Sequence, residues 1–312
     1  MPKIFYVTDI HGSEICWMKF LNAGPFYGAD VVIVGGDITG KAMVPIVARN
    51  GRWETTLQDH HEILESEAEV AEIEKRIMNR GYYPIRVSEE EYRALQEDED
   101  LVDKRFKEAM LEGTERWIGM AEEKFAGTGI RPIACPANDD MFEIDDVLAG
   151  ADVVETGDED HPIELDGFTI ISMGWTNPTP WHTHREEPDE ALAKRLEAVI
   201  GHVKDIPNAV FNFHPPPYGS GLDEAPELTK DLRLAYAGRS MVAVGSKAVL
   251  KAVETHKPLL TLHGHIHEGK GSRKYGRTLC LNPGSMYEQG ILHGALVDLK
   301  EKAVGNYVLT TG

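Results

Sequence analysis

The first apolar run, Lys3-Ile4-Phe5-Tyr6-Val7-Thr8, is short and unbroken, and Val31-Val32-Ile33-Val34 repeats the pattern. Both are closed by turn residues. Short runs without polar alternation are what strands buried on both faces look like. Between them Ser13 is placed to cap a helix reaching about Ala23, where Gly24-Pro25 supplies a stop signal. The unit reads β-α-β, so a parallel pair with a right-handed crossover is expected. Strand patterns resume at 131–136, 168–174, 209–213, 258–262, 278–281, 294–299 and 307–310. Helical patterns fall at about 189–203 and at 246–256, the second opened by Ser246. The fold class is α/β.

Residues 53–126 differ. Ile63, Val70, Ile73 and Ile77 fall at helical spacing, with Gly81 as a stop. Ser88 followed by Glu91 is a capping-box pattern, and Phe106, Met110, Trp117, Ala121 and Phe125 recur at helical intervals beyond it. The segment is expected to be a helical hairpin inserted into one α/β domain spanning 1–312. A projecting pair of this kind is suited to cap a site or to join subunits into a homo-oligomer.

Composition narrows the partners. The chain carries 52 acidic and 32 basic residues, a formal −20, and the segment 53–126 holds 21 acidic against 10 basic of these. Such a surface repels polyanions, which argues against long nucleic acid or an anionic membrane as partner. No run approaches the roughly 18 apolar residues a membrane span needs. Cys16, Cys135 and Cys280 are few, distant and without CxxC spacing, fitting reduced thiols rather than a disulfide frame. A soluble cytoplasmic protein is the expectation.

The chemistry lies at the strand ends. The first strand runs into Asp9-Ile10-His11 and the second into Gly35-Gly36-Asp37. The segment Ile133-Ala134-Cys135-Pro136-Ala137 leads to Asn138-Asp139, Val210-Phe211-Asn212-Phe213 to His214, and Leu259-Leu260-Thr261-Leu262 to His263-Gly264-His265-Ile266-His267. Ligands in open α/β sheets bind beyond the carboxyl ends of strands, so these residues can converge on one rim. Asp, Asn and His donors suit manganese, iron or zinc, and the lack of Cys argues against a structural zinc. Seven candidate ligands exceed one tetrahedral ion but suit two ions sharing a carboxylate. A metal pair of that kind holds a hydroxide and neutralises phosphoryl oxygens.

In their order, D-x-H, G-D, Asn-Asp, His and G-H-x-H, these motifs resemble the calcineurin-like metallophosphoesterase superfamily over residues 1–40 and about 130–290. His263 to Gly269, Asn282-Pro283-Gly284-Ser285 and His214-Pro215-Pro216 look closest to phosphoesterases related to class III cyclic-nucleotide phosphodiesterases. The resemblance implies a four-layer αββα sandwich with two divalent or trivalent metal ions. It implies that Asp9, His11 and His267 hold one ion, that Asn138, His214 and His265 hold the other, and that Asp37 bridges them. It implies a hydrolase of small phosphoesters, with a metal-bridging hydroxide attacking phosphorus. His263, just before the G-H-x-H core, is expected to support or pack rather than ligate.

One departure stands out. Family members usually have His where this chain has Asp139, and that His protonates the leaving group. A carboxylic acid does that only if burial or a neighbouring carboxylate raises its pKa. Loss of the His disfavours a phosphoprotein or phosphomonoester phosphatase, whose alkoxides leave poorly, and leaves phosphodiesters as the leading class. A non-catalytic scaffold on the same fold is the remaining alternative, although all seven ligands are present. The pairs His182/His184, in a Pro-rich loop, and His60/His61, on the expected helix face, are not read as ligands; the loop from Trp175 to Asn177 is a possible substrate rim.

Overall fold

The computed structural model describes residues 1–312, the side chain of Tyr236 excepted. The chain opens as expected, with β1 (Lys3–Val7), α1 (Glu14–Tyr27) and β2 (Val31–Val34), and β1 pairs with β2 in parallel from Ile4↔Val31 to Val7↔Val34. α1 runs through the expected stop and ends instead at Gly28, whose φ of 58° is left-handed. Gly24 lets the helix settle closely on Val32, and Pro25 sits where only the last turn loses a hydrogen bond. Ser13 makes no side-chain cap; its hydroxyl lies 2.8 Å from the Asn79 carbonyl and 3.2 Å from that of Tyr287.

The expected helical hairpin does not form. The segment builds β3 (Ala42–Arg49), β4 (Arg52–Leu57), β5 (His60–Leu64), α2 (Glu67–Met78), β6 (Tyr82–Ser88), α3 (Glu89–Glu97) and α4 (Glu99–Phe125). Its strands make a separate sheet in the order β5-β4-β3-β6. Two turns explain it. Asn50 and Gly51 both have positive φ, as do Gln58 and Asp59, the backbone that closes tight hairpins. Ile63 and the pair His60/His61 therefore lie on an exposed strand rather than on a helix. Val70, Ile73 and Ile77 of α2 cover Val44, Ile46, Leu57 and Leu64 in a small core of their own. Ser88 and Glu91 form the expected capping box, but Asp98 breaks the long helix into α3 and α4.

After β7 (Arg131–Ala134) come α5 (Ile144–Ala149), β8 (Glu155–Thr156), β9 (Ile163–Leu165), β10 (Phe168–Met173), α6 (Asp189–Gly201) and β11 (Ala209–Phe213). The chain continues with β12 (Glu224–Pro226), β13 (Met241–Ala243), α7 (Lys247–His256), β14 (Leu260–Leu262), β15 (Gly271–Tyr275), β16 (Thr278–Asn282), β17 (His293–Lys300) and β18 (Ala303–Thr311). The expected strands all form, with boundaries moved by a few residues. Ser246 caps α7 through the Val249 amide.

Two sheets dominate, β18-β17-β1-β2-β7-β8 and β15-β16-β14-β11-β10-β9. Ile4, Tyr6, Val31 and Ile33 meet Ile170, Val210, Leu260 and Leu281 between them. Alternate residues face outward. Phe5, Val7, Val32 and Val34 pack under α1, α4 and α5, with Trp17, Trp117, Ala121, Phe125 and Leu148. On the far side Ile171, Phe211 and Phe213 pack under α6 and α7, with Leu192, Leu196, Val249 and Val253. This is the four-layer αββα sandwich, and α4, expected to project in a hairpin, is part of its outer layer.

Candidate metal centre

The two sheets bring the carboxyl ends of β1, β2, β7, β11 and β14 to one rim, and the seven sequence candidates follow those ends. The loops after β1 and β2 are zipped together: the amides of Asp9, His11 and Gly12 donate to the carbonyls of Gly36, Asp37 and Ile38 at 2.8–3.0 Å. Asp9, His11, Asp37 and His265 all have φ between 39° and 65°. Left-handed backbone is sparsely populated by residues other than glycine, and Asp and His are among the types that tolerate it. Such strain clusters at functional sites. Here it turns side chains back over the strand ends.

Asp9, His11 and His267 present ligand atoms within 4.8 Å of one another, and Asp37, His214 and His265 do the same. Asp37 Oδ2 lies 3.8 Å from His11 Nε2 and 3.3 Å from His214 Nε2, so this carboxylate stands between the two groups. A third trio, His11, Asp37 and Asp139, meets the same distance test but shares two members with the others. Asn138 orients through its amide, which donates to Thr183 Oγ1 at 2.9 Å. Its Oδ1, like His11 Nδ1 and both ring nitrogens of His214, is buried without a hydrogen-bond partner. Buried polar atoms are rarely left so. Asn138 Oδ1 and the His214 Nε2 that faces Asp37 are atoms that a metal ion would satisfy.

The electrostatics say the same. Burial opposes ionisation of Asp9, yet His214, His267 and His11 outweigh it and hold the carboxyl well below its usual range. Burial also opposes charge on His214, but Asp37 and Asp9 raise it to about 9. Burial, helped by the His214 charge, drops His265 to about 3, and burial first, then Lys41, holds His11 well below its ordinary value. His11 Nε2 and His267 Nε2 meet at 3.1 Å. Without metal, protons supply the positive charge that Asp9 and Asp37 demand.

Supporting groups hold the ligands. The His265 amide reaches both oxygens of Asp9 at 3.0 and 3.1 Å, Thr8 Oγ1 donates to Oδ2 at 2.7 Å, and Ser285 Oγ donates to the Asp9 carbonyl at 2.6 Å. A Cβ on Gly264 would collide with Thr8 and Asp9, so only glycine lets the two loops approach. The Asn282 amide donates to the carbonyls of Gly264, Ile266 and Leu222 at 3.0–3.3 Å. His263 is buried between Phe213 O and Thr261 Oγ1, each at 2.7 Å; both ring nitrogens are used, so it supports.

Three residues escaped the sequence reading. Asp140, fully buried, accepts from the amides of Ala137, Ile38 and Thr39 and from Thr39 Oγ1 at 2.7–3.1 Å. It fixes the loops that carry Asp37 and Asn138. Arg185, also buried, donates to the carbonyls of Asp140 and Met141 and to Asp145. Lys41 Nζ lies 2.5 Å from Asp139 Oδ2. The adjacency of Asn138-Asp139-Asp140 could have flagged Asp140; no local pattern points to Arg185 or Lys41.

Above the centre opens a cleft of about 800 Å³. Asp37, Lys41, Asn138, Asp139, His265 and His267 form its floor; Pro178, Trp181, Leu228, Leu234 and Val242 line its apolar wall. Asn177, from the expected substrate rim, lines it, and so does Thr183, while His182 and His184 are exposed.

No family model matches the chain. The uncharacterized protein MJ1162 of Methanocaldococcus jannaschii is 30% identical over 122 residues, 38% of this chain and 50% of that protein. The chain thus spans half the length of the curated relative it matches. The solved structure of TT1561 from Thermus thermophilus aligns with 100% of this chain and 98% of its own, at 17% identity and a TM-score of 0.53. Another solved structure aligns with 100% and 99% of the two chains at 16% identity and a TM-score of 0.57. A looser match, with a TM-score of 0.35 and 12% identity over 99% of both chains, is to a novel archaeal phosphodiesterase; so loose an overlap carries no weight. Likeness at these identities concerns the fold. Two face-to-face sheets with helices outside make that fold the four-layer αββα sandwich, with the Asp/His strand ends on one rim.

Proposed function

We propose that this protein is a metal-dependent phosphoesterase that prefers phosphodiesters. The carrying observation is the paired Asp/His groups with orphaned, buried donor atoms beneath an open cleft. In this reading Asp9, His11 and His267 hold one ion, Asn138, His214 and His265 the other, and Asp37 serves both. Bound there, two transition-metal ions would polarise a phosphoryl oxygen and activate water. The chain's own part is to fix their geometry through Asp140, Thr8 and Asn282, and to seat the ester in the cleft.

Charge and shape support the diester. A monoester dianion needs more neutralisation than a diester anion, yet among the described residues Lys41 is the one Lys or Arg lining the cleft. The apolar wall of Trp181, Leu228, Leu234 and Val242 has room for a second ester group, which a monoester lacks. The test is a side-by-side assay of matched aryl diesters and monoesters with manganese, iron, zinc and magnesium, beside metal analysis. Faster diester hydrolysis with a transition metal is expected. A metal-free chain inert under every condition would favour the scaffold, and faster monoester hydrolysis would overturn the preference.

A further inference from the structure

Lys41 lies outside the ligand set, but the backbone leading to it is fixed on several sides. The residues leading to it, Ile38 to Gly40, are pinned by Asp140 through the amides of Ile38 and Thr39. The Gly40 amide donates to Tyr83 Oη at 2.7 Å, and a Cβ on Gly40 would strike the Gly81 carbonyl. From this base the ammonium reaches Asp139 at 2.5 Å on the cleft floor. Asp139 is held in turn: its amide donates to Asp37 Oδ1 at 3.0 Å, and its Oδ2 lies 3.8 Å from His11 Nδ1. A chain of contacts therefore joins Asp37, Asp139 and Lys41.

The Lys41 side chain is 45% exposed in the cleft, and a lysine ammonium keeps its charge at neutral pH. A side chain that stays charged makes a poor proton donor and a good fixed cation. Asp139 stands where the resembled family places the acid for the leaving group, and Asp140, the neighbouring carboxylate, is committed to the loop amides. Lys41 is the cleft's cation nearest that place.

We propose that Lys41 is a catalytic residue that stabilises negative charge on the leaving oxygen, and that Asp139 positions it. The proposal rests on the phosphoesterase reading above. In the hydrolysis, hydroxyl from water becomes bonded to phosphorus and the bond from phosphorus to the leaving oxygen breaks, both electrons staying on that oxygen. The ammonium offsets the charge as it grows, and the proton that finally neutralises the oxygen is the water's other one. No redox partner is needed.

The test uses the metal-loaded chain and a series of aryl and alkyl diesters of graded leaving-group pKa. Losing one donor aimed at developing charge typically costs about 10²–10³-fold in rate. Lys41→Gln is expected to lower kcat/KM by about 10²-fold for alkyl leaving groups and by less than about 5-fold for nitrophenol, steepening the leaving-group dependence. Lys41→Arg should restore most of the shallow slope, and Asp139→Asn should steepen it by less than Lys41→Gln does. Metal content and melting temperature of each variant are measured alongside and should match the parent. An equal loss across the series, no loss, or a loss that tracks missing metal would overturn the proposal. A parent chain inert on every ester would instead overturn the phosphoesterase reading itself.

Discussion

Asp37 is the residue on which both candidate ions depend, since its Oδ2 stands between His11 and His214. Asp37→Ala is therefore expected to empty both sites, whereas His267→Ala, a member of one group only, should lose mainly one ion. Metal counting by mass spectrometry checks this, and two ions retained in Asp37→Ala would refute the ligand set. The protons that stand in for metal give a second prediction. His214 rises from an ordinary 6.5 to about 9 because Asp37 and Asp9 flank it. A raised folded pKa stabilises fully below about 6.5, and that stabilisation is lost as pH climbs to about 9. Chelator-treated protein should lose several degrees of melting temperature across this window. Metal-loaded protein should not, because ions replace the protons. A flat profile for the stripped protein would show that His214 is neutral there. The candidate ligands were legible because each is a motif residue within five positions of the end of an apolar strand. Lys41 and Asp139 were not legible as a pair, since 98 positions separate them and only the fold closes the gap.

At the scale of elements, what failed to show in the sequence was where a helix packs. The spacing of Met110, Trp117, Ala121 and Phe125 marks one apolar face correctly, but an apolar stripe does not name its partner. The stripe lies on the main sheet, where Trp117 stacks on Trp17 with ring centres 4.8 Å apart and planes 3° from parallel. Trp117 Nε1 also donates to Glu14 at 2.6 Å. Trp117→Ala should cost about 3–5 kcal/mol, the usual range for a buried aromatic, read from urea unfolding of the metal-loaded protein. A loss under about 1 kcal/mol would mean that α4 is only loosely attached. By contrast, Asn50-Gly51 is the strongest short hairpin signal a sequence carries. The acidic, helix-favouring composition around it obscured that turn. The βαβ opening and β7, β10, β11, β14 and β16 were legible because burial on both faces makes short unbroken apolar runs, and α7 because Ser246 caps it.

For the whole molecule, the net charge of −20 and the anionic substrate of the proposed function pull against each other. On the proposed function, each ester would approach through a repulsive field before reaching the centre, where the proposed ions and Lys41 would attract it at short range. Screening acts unequally on these terms. The Debye length falls from about 30 Å at 0.01 M salt to about 8 Å at 0.15 M, which removes the long-range repulsion while leaving contacts inside the cleft largely intact. Added salt should thus raise kcat/KM for an anionic diester by about 2–5-fold and leave kcat nearly unchanged, because association changes and the bound state does not. An uncharged aryl ester run in parallel should show no rise. The opposite slope, a kcat/KM that falls as salt is added, would mean that the positive charge of the centre reaches beyond the rim and steers substrates in. The acidic surface would then no longer argue against a polyanionic substrate, since a protein that draws anions to its cleft holds a long nucleic acid more weakly with every increment of salt.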